Sequence, residues 1–319
     1  MIGKNQIPLN KVLMYRRCLI VASLVLSITP CLLGQAPVSE ERPPIIDMHM
    51  HAYPAEGLFS GANPVTGEPS AAQTDEAIMQ ATIEAMDRFN IVKAIVSGPL
   101  DLVQRWKSVA PSRILASPHF PHFAPAPDLQ LLRREYLAKR LDAMAELTYQ
   151  YVGVDPSDPQ VEPYLALAEE LDIPVGFHMG LSSPGVSYKH APKYRASIGN
   201  PLLLEEALLR HPNLRVYVMH AGWPFLDEMK ALLWAHPQVY AGLGVINWAI
   251  PREEFHDYLR QLVRAGFGKR LMFGSDQMVW PEAIEMAIEG IESAAFLTQE
   301  QKRDIFYHNA ARFLRLEEE

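Results

Sequence analysis

Histidines and one aspartate close several short apolar runs along this chain of 319 residues. The first run, Ile45-Ile46-Asp47-Met48-His49-Met50-His51, reads as a buried strand ending in His-x-His. Residues two apart on a strand share a face, so Asp47, His49 and His51 are expected to project together, and Ile46, Met48 and Met50 the other way. Two imidazoles on one face at a strand end can close on one divalent metal, since neutral imidazole is the commonest metal ligand. Taken alone, the pattern is equally that of a strand with two incidental histidines. His178 closes Ile173-Pro174-Val175-Gly176-Phe177, His220 closes Val216-Tyr217-Val218-Met219, and Asp276 follows Leu271-Met272-Phe273-Gly274-Ser275. Each apolar run would bury its polar end, and a buried imidazole or carboxylate without partners is costly. Five such residues at four strand ends point to one shared polar site. Asp47 is expected to hold structure through hydrogen bonds.

The elements that must position these groups alternate from Ile45 onward. Strands are expected at 45–51, 91–97, 113–117, 143–150, 173–178, 214–220, 239–245 and 270–275. Helices are expected at 75–89, 100–110, 128–142, 159–171, 201–210, 225–235, 252–265, 281–294 and 299–316. Eight strand–helix units with short, strongly apolar strands indicate a parallel sheet buried on both faces. The predicted fold is α/β, a (β/α)8 TIM barrel with an additional C-terminal helix. Its active site would sit at the C-terminal strand ends, where the histidines fall. A doubly wound open sheet would show a glycine-rich phosphate turn after the first strand, and none is present. The Gly/Pro/Ser-rich stretch 53–74 is long for a loop and reads as functional or mobile.

Residues 1–36 differ from the rest. Lys4, Lys11, Arg16 and Arg17 precede an apolar run from Cys18 to Leu33, and no acidic residue occurs before Glu40. Gly34 and Ala36 then supply the small residues of a cleavage site, so 1–36 reads as a secretory signal peptide. The run contains Pro30 and is shorter than the ~20 residues a membrane span needs. Export to a periplasmic or extracellular space is expected, with 37–319 as one barrel domain. Both cysteines, Cys18 and Cys31, would leave with the leader, which removes thiolate from the ligands and nucleophiles. The remainder carries 25 Lys and Arg against 37 Asp and Glu, a net charge of −12. That balance argues against nucleic acid and anionic membrane as partners. A small-molecule substrate is the expected partner, with assembly into a homo-oligomer left open.

Over 45–316 the sequence resembles the amidohydrolase superfamily, in particular amidohydrolase-related family 2, the branch with aminocarboxymuconate-semialdehyde decarboxylase and related lactone hydrolases. The carriers are Asp47-Met48-His49-Met50-His51, Pro174-Val175-Gly176-Phe177-His178, His220-Ala221-Gly222, Phe273-Gly274-Ser275-Asp276 and Asn309-Ala310-Ala311-Arg312-Phe313. The resemblance implies that His49, His51 and His178 ligate a divalent metal, zinc first and manganese second. It implies Asp276 as a further ligand or as the hydrogen-bond partner of the activated water. It makes His220 a residue that polarises substrate or shuttles a proton. One metal per chain is expected. Glu146, in Ala145-Glu146-Leu147 on the presumed fourth strand, could bridge two metals as a strand-four carboxylate does in some amidohydrolases. The alternative is a solvated glutamate at a helix end.

Other histidines follow from their loops. His119 and His122 flank a Pro-rich loop after the third strand and would contact substrate. His190, with Lys189, Lys193 and Arg195, would meet an anionic substrate group or lie in a solvated basic loop. Trp280 and Gln277 would line the pocket. His211, His236 and His256 are expected at the surface and His308 in a structural place. The function that the resemblance implies for 37–319, a single metal-dependent hydrolase domain, is hydrolysis of a small ester, lactone or amide by a metal-activated water. Non-oxidative decarboxylation is the alternative within enzymes, and an inactive ligand- or metal-binding barrel the alternative outside them.

Overall fold

The structure, a computed structural model, describes residues 42–57, 61–120, 125–180 and 182–316. The proposed leader, 1–36, lies outside them. Eight strands form: β1 (Ile45–His51), β2 (Ile91–Gly98), β3 (Ile114–Pro118), β4 (Met144–Leu147), β5 (Val175–His178), β6 (Val216–Met219), β7 (Val239–Gly242) and β8 (Leu271–Met272). They pair in parallel as two arcs, β1-β2-β3 and β4-β5-β6-β7-β8. Individual hydrogen bonds join the arcs. Between β3 and β4, Asp142 N donates to Ala116 O at 2.8 Å and Ala145 N to Ser117 Oγ at 2.6 Å. Between β8 and β1, Met48 N donates to Phe273 O at 3.0 Å and Asp276 N to His49 O at 2.6 Å. The result is the expected (β/α)8 barrel.

The helices are α1 (Asp75–Arg88), α2 (Leu100–Val109), α3 (Leu129–Leu137), α4 (Glu162–Glu170), α5 (Val186–Lys189), α6 (Glu205–Arg210), α7 (Leu226–Ala235), α8 (Ile246–Ala249), α9 (Arg252–Leu262), α10 (Ala283–Glu292), α11 (Gln299–Arg303) and α12 (Asn309–Leu314). Polar caps start several of them: Thr74 Oγ1 accepts from Ala77 N, and Asp128 Oδ1 from Leu131 N. Thr298 and Gln301 form a reciprocal capping box at α11. Among the described residues, no helix is long and apolar enough to cross a membrane.

Several elements are shorter than the sequence indicates, each for a local reason. Helix α3 stops at Leu137 instead of 142 because Lys139 turns left-handed and Arg140 N returns to Glu135 O. Strand β4 ends at Leu147, and Tyr149–Val152 winds into a 3₁₀ turn. Strand β8 has two residues because Phe273 N leaves the ladder for Ile305 O. The C-terminal helix divides into α11 and α12 across a π turn, Asp304–His308.

Besides a minor group of Val186, Ala191 and Tyr194, two apolar clusters form among the described residues. The smaller holds Ile46 and Met48 with Ile95, Ala143, Ala145, Tyr217, Met219, Met272, Ala310 and Phe313. Its strand members come from β1, β2, β6, β8 and the β4 region, the layered filling of a barrel, and Phe313 of α12 packs against the Tyr217 ring. The larger packs the helices around the strands, and Met50 belongs to it. So the strict alternation expected for β1 does not hold. Its register slips between Asp47 and Met50, which separates Met50 from Ile46 and Met48.

Candidate metal centre

The C-terminal strand ends bring five of the expected residues together with Glu146, which is buried on a strand and not solvated at a helix end. His49 and His51 end β1, Glu146 lies on β4, His178 ends β5, and His220 and Asp276 follow β6 and β8. All six are buried. His49 Nε2 and His51 Nε2 are 3.0 Å apart. Asp276 Oδ1 lies 2.9 Å from His51 Nε2 and 3.6 Å from His49 Nε2. It has no partner in hydrogen-bond geometry. Glu146 Oε1 lies 2.6 Å from His178 Nδ1 and 3.2 Å from His220 Nε2. Glu146 Oε2 lies 3.8 Å from both His49 Nε2 and His51 Nε2.

The backbone is arranged for this closeness. His220 and Asp276 both hold positive φ, 56° and 50°, a conformation uncommon in non-glycine residues and, where it costs strain, concentrated at functional sites. Gly244 and Gly274 flank His49; a Cβ on either would fall 2.9 Å from its side chain. Asp47 accepts from His49 N at 2.9 Å and from Ser275 N at 3.0 Å, so the structural role expected of it is the one observed. Burial pushes the Asp47 carboxyl up to about 7.

Outer partners turn the rings. Ser97 Oγ sits 2.7 Å from His51 Nδ1. His220 Nδ1 donates to Gly244 O at 3.0 Å, because a carbonyl only accepts, and this leaves the Nε2 lone pair facing Glu146. Burial alone would lift both carboxylates, but the surrounding imidazoles overcome it. His178 and His49 hold Glu146 well below the usual carboxylate range, and His49, His51 and His220 lower Asp276. Burial lowers His178, whereas Glu146 and Asp276 outweigh burial at His220 and raise it. Six buried nitrogen and carboxylate donors, with opposed oxygens on Glu146 and an unpartnered oxygen on Asp276, are a donor set that fits a hard or borderline divalent cation.

The remaining expectations divide. His119 is half-buried beside the mouth, its ring 6.2 Å from that of Tyr53. His122 lies outside the described residues. His190 is exposed, as are Lys189, Lys193 and Arg195, and the Arg195 guanidinium donates to Pro192 O and Tyr194 O. Trp280 is buried and donates its indole N–H to Gly61 O, tying down the long loop after β1. Gln277 is also buried, and its amide is bonded to the backbone of His51. His211 and His236 are not at the surface: both are buried, His211 between Glu162 and Glu169, His236 against Glu205. The ion-pair partners make that burial tolerable.

Two tyrosines at the site escaped the sequence reading. Tyr53 stacks on His51, with centroids 4.2 Å apart, and Tyr151 lies against His178 at 4.7 Å. Tyr53 continues the two-residue spacing of His49 and His51, a signal that was there to use. Tyr151 arrives through the 3₁₀ turn after β4, which no spacing announces.

Residues 46–316 match the family described as Amidohydrolase. The chain belongs to that family. Among curated proteins, Protein fluG of Emericella nidulans is 20% identical over 161 residues, a stretch covering 46% of this chain and 18% of that protein. An uncharacterised TIM-barrel protein of Bordetella bronchiseptica superposes with TM-score 0.64 at 19% identity, covering 85% of this chain and 98% of the other. A probable 2-pyrone-4,6-dicarboxylic acid hydrolase of Acinetobacter baumannii gives 0.60 at 16% identity, covering 85% and 99%. A dihydroxybenzoic acid decarboxylase of a Polaromonas species, with manganese bound, gives 0.62 at 13% identity, covering 86% and 98%. Likeness at these identities establishes the barrel.

Proposed function

We propose that this protein is a metal-dependent hydrolase of a small organic ester, lactone or amide. The observation that carries the reading is Glu146, whose two oxygens face two different histidine pairs, His178 with His220 and His49 with His51. That arrangement favours two divalent ions sharing one carboxylate over the single ion expected from the strand ends alone. The manganese in the Polaromonas neighbour supports a divalent ion without fixing which one. When bound, such ions polarise a carbonyl and make water nucleophilic near neutral pH.

The chain's own residues supply the rest. Asp276 keeps an oxygen free of other hydrogen bonds at the centre of the cluster, and its lowered pKa leaves it ionised and able to take a proton. His220, its ring fixed by the hydrogen bond from Nδ1 to Gly244 O, keeps the Nε2 lone pair at the cluster, where it would help hold an ion or take up a proton. Tyr53 and Tyr151 form aromatic walls that would orient a flat or cyclic substrate.

The test is a panel of lactones, esters, amides and carboxylated aromatics, run on protein loaded with zinc or manganese in ¹⁸O-labelled water. Label in a carboxylate product supports hydrolysis. Release of carbon dioxide from a carboxylated aromatic, with no label incorporated, would establish the decarboxylase instead, the chemistry named for the Polaromonas neighbour. Binding without turnover on either set would leave a ligand-binding barrel.

A further inference from the structure

His178 offers its two ring nitrogens to different surroundings. Nδ1 faces the cluster, 2.6 Å from Glu146 Oε1 and 3.0 Å from His220 Nε2. Nε2 is buried and meets no protein partner. His178 also lines a cavity of about 10 Å³ beneath the turn after β4, together with Tyr149 and Gln150. Each of those residues likewise carries a buried polar atom without a protein partner, the Tyr149 hydroxyl and Gln150 Oε1. Seven side-chain atoms among the described residues share that condition, and three belong to residues around this one cavity. Such atoms are rare in folded proteins because each forfeits its hydration. All three residues line the same small space, which points to a common partner there.

We propose that the cavity is a binding site for one structural water, which ties His178 Nε2 to Gln150 Oε1 and Tyr149 Oη. A space of this size holds about one water, and a buried water typically makes about three hydrogen bonds. The donor and acceptor roles close without conflict. Nε2–H donates to the water oxygen, the water donates to Gln150 Oε1, and the phenol takes either role. The amide cannot be turned the other way. Gln150 Nε2 donates to Gly180 O at 3.0 Å, and a reversed amide would set two oxygens against each other there.

The water fixes His178 as the Nε2–H tautomer, which leaves the Nδ1 lone pair for the cluster. Ser97 and Gly244 O perform that service for His51 and His220. A histidine that holds a metal generally donates its other N–H outward, and losing that partner typically costs 10–100-fold in metal affinity. Gln150 and Tyr149 are thus positioning residues acting through a water. This consequence rests on reading the cluster as a metal centre; the water itself does not.

The decisive experiment is a crystal structure of the zinc-loaded protein at a resolution that shows ordered water, paired with ring ¹⁵N spectra of histidine-labelled protein. The expected result is a water within hydrogen-bond distance of all three atoms and His178 in the Nε2–H form. In Gln150→Leu, that tautomer should lose its dominance, and zinc affinity, measured by competition with a chromophoric chelator, should fall 10–100-fold. Tyr149→Phe, which keeps the ring packing, should fall by less and covers the case in which Gln150→Leu does not fold. A dry cavity, a His178 ring that reaches the cluster through Nε2, or wild-type affinity and tautomer in both variants would each overturn the proposal. If the protein bound no metal but the water and tautomer were present, the metal reading would fail and the water site would stand.

Discussion

The side-chain amide of Gln277 pairs with both backbone groups of His51. Oε1 accepts from His51 N at 3.0 Å and Nε2 donates to His51 O at 2.7 Å. The amide thereby takes the place of a strand residue where β8 has already ended. Gln277→Leu, similar in size, would leave a buried N–H and a buried carbonyl unpaired, at about 1–3 kcal/mol each. We expect the melting temperature to drop by roughly 5–10 °C, with weaker metal binding. An unchanged thermal transition would show that the pairing contributes nothing.

Glu146→Gln should change metal content. Sharing one carboxylate between two histidine pairs predicts two equivalents of divalent ion in the native protein, and at most one retained tightly in the variant. Elemental analysis after gel filtration reads this directly. One equivalent in both proteins would return Glu146 to a hydrogen-bonding role beside His178.

Asp276→Asn and His49→Ala should separate. The amide keeps the size of Asp276 but takes no proton at neutral pH, so the variant should stay metal-loaded while turnover drops ~10²–10⁴-fold. His49→Ala should lose metal and activity together, with partial recovery in excess zinc. Turnover near that of the native protein in Asp276→Asn would take the carboxylate out of the proton transfer and shift the base to His220.

His119 gives a pH signature. Burial, helped by His51, lowers its imidazole to about 4 from an ordinary value of 6.5. The folded protein therefore holds the neutral ring, and the unfolded chain binds the proton first on acidification. Stability from this group is complete above about pH 6.5 and is lost as pH falls toward 4, on the order of 2 kcal/mol once its partial exposure is discounted. Urea melts of metal-free protein across that interval should show a shallower fall for His119→Gln than for the native chain. Parallel curves would show that the ring is not protected from protonation.

The strand-end residues were legible because each follows an apolar run, and a polar group ending such a run must be paired. His49, His51, His178, His220 and Asp276 share that grammar. Glu146 did not, since Ala145-Glu146-Leu147 reads equally as helix, and only its neighbours in space distinguish the two. The roles of Gln277, expected only to line the pocket, and of Ser97 and Gln150 were beyond reach for another reason. These residues act on backbone groups, on the far side of a ring or on a cavity, and their contacts depend on turns that carry no periodic pattern. The alternation of β1 misled at Met50, because a slip in register is a property of the paired strand as much as of the sequence.

The barrel has a clasp. Strands β1 and β8 meet through two backbone bonds, the Asp47 carboxylate on Ser275 N and the Gln277 amide on His51. The bonded residues lie 225 to 228 positions apart along the chain. The same few residues carry His49, His51 and Asp276, so a cation held by all three fastens the first strand to the last. Loading the site and locking the ring are then one event, and the free energy of the first appears as resistance to opening in the second.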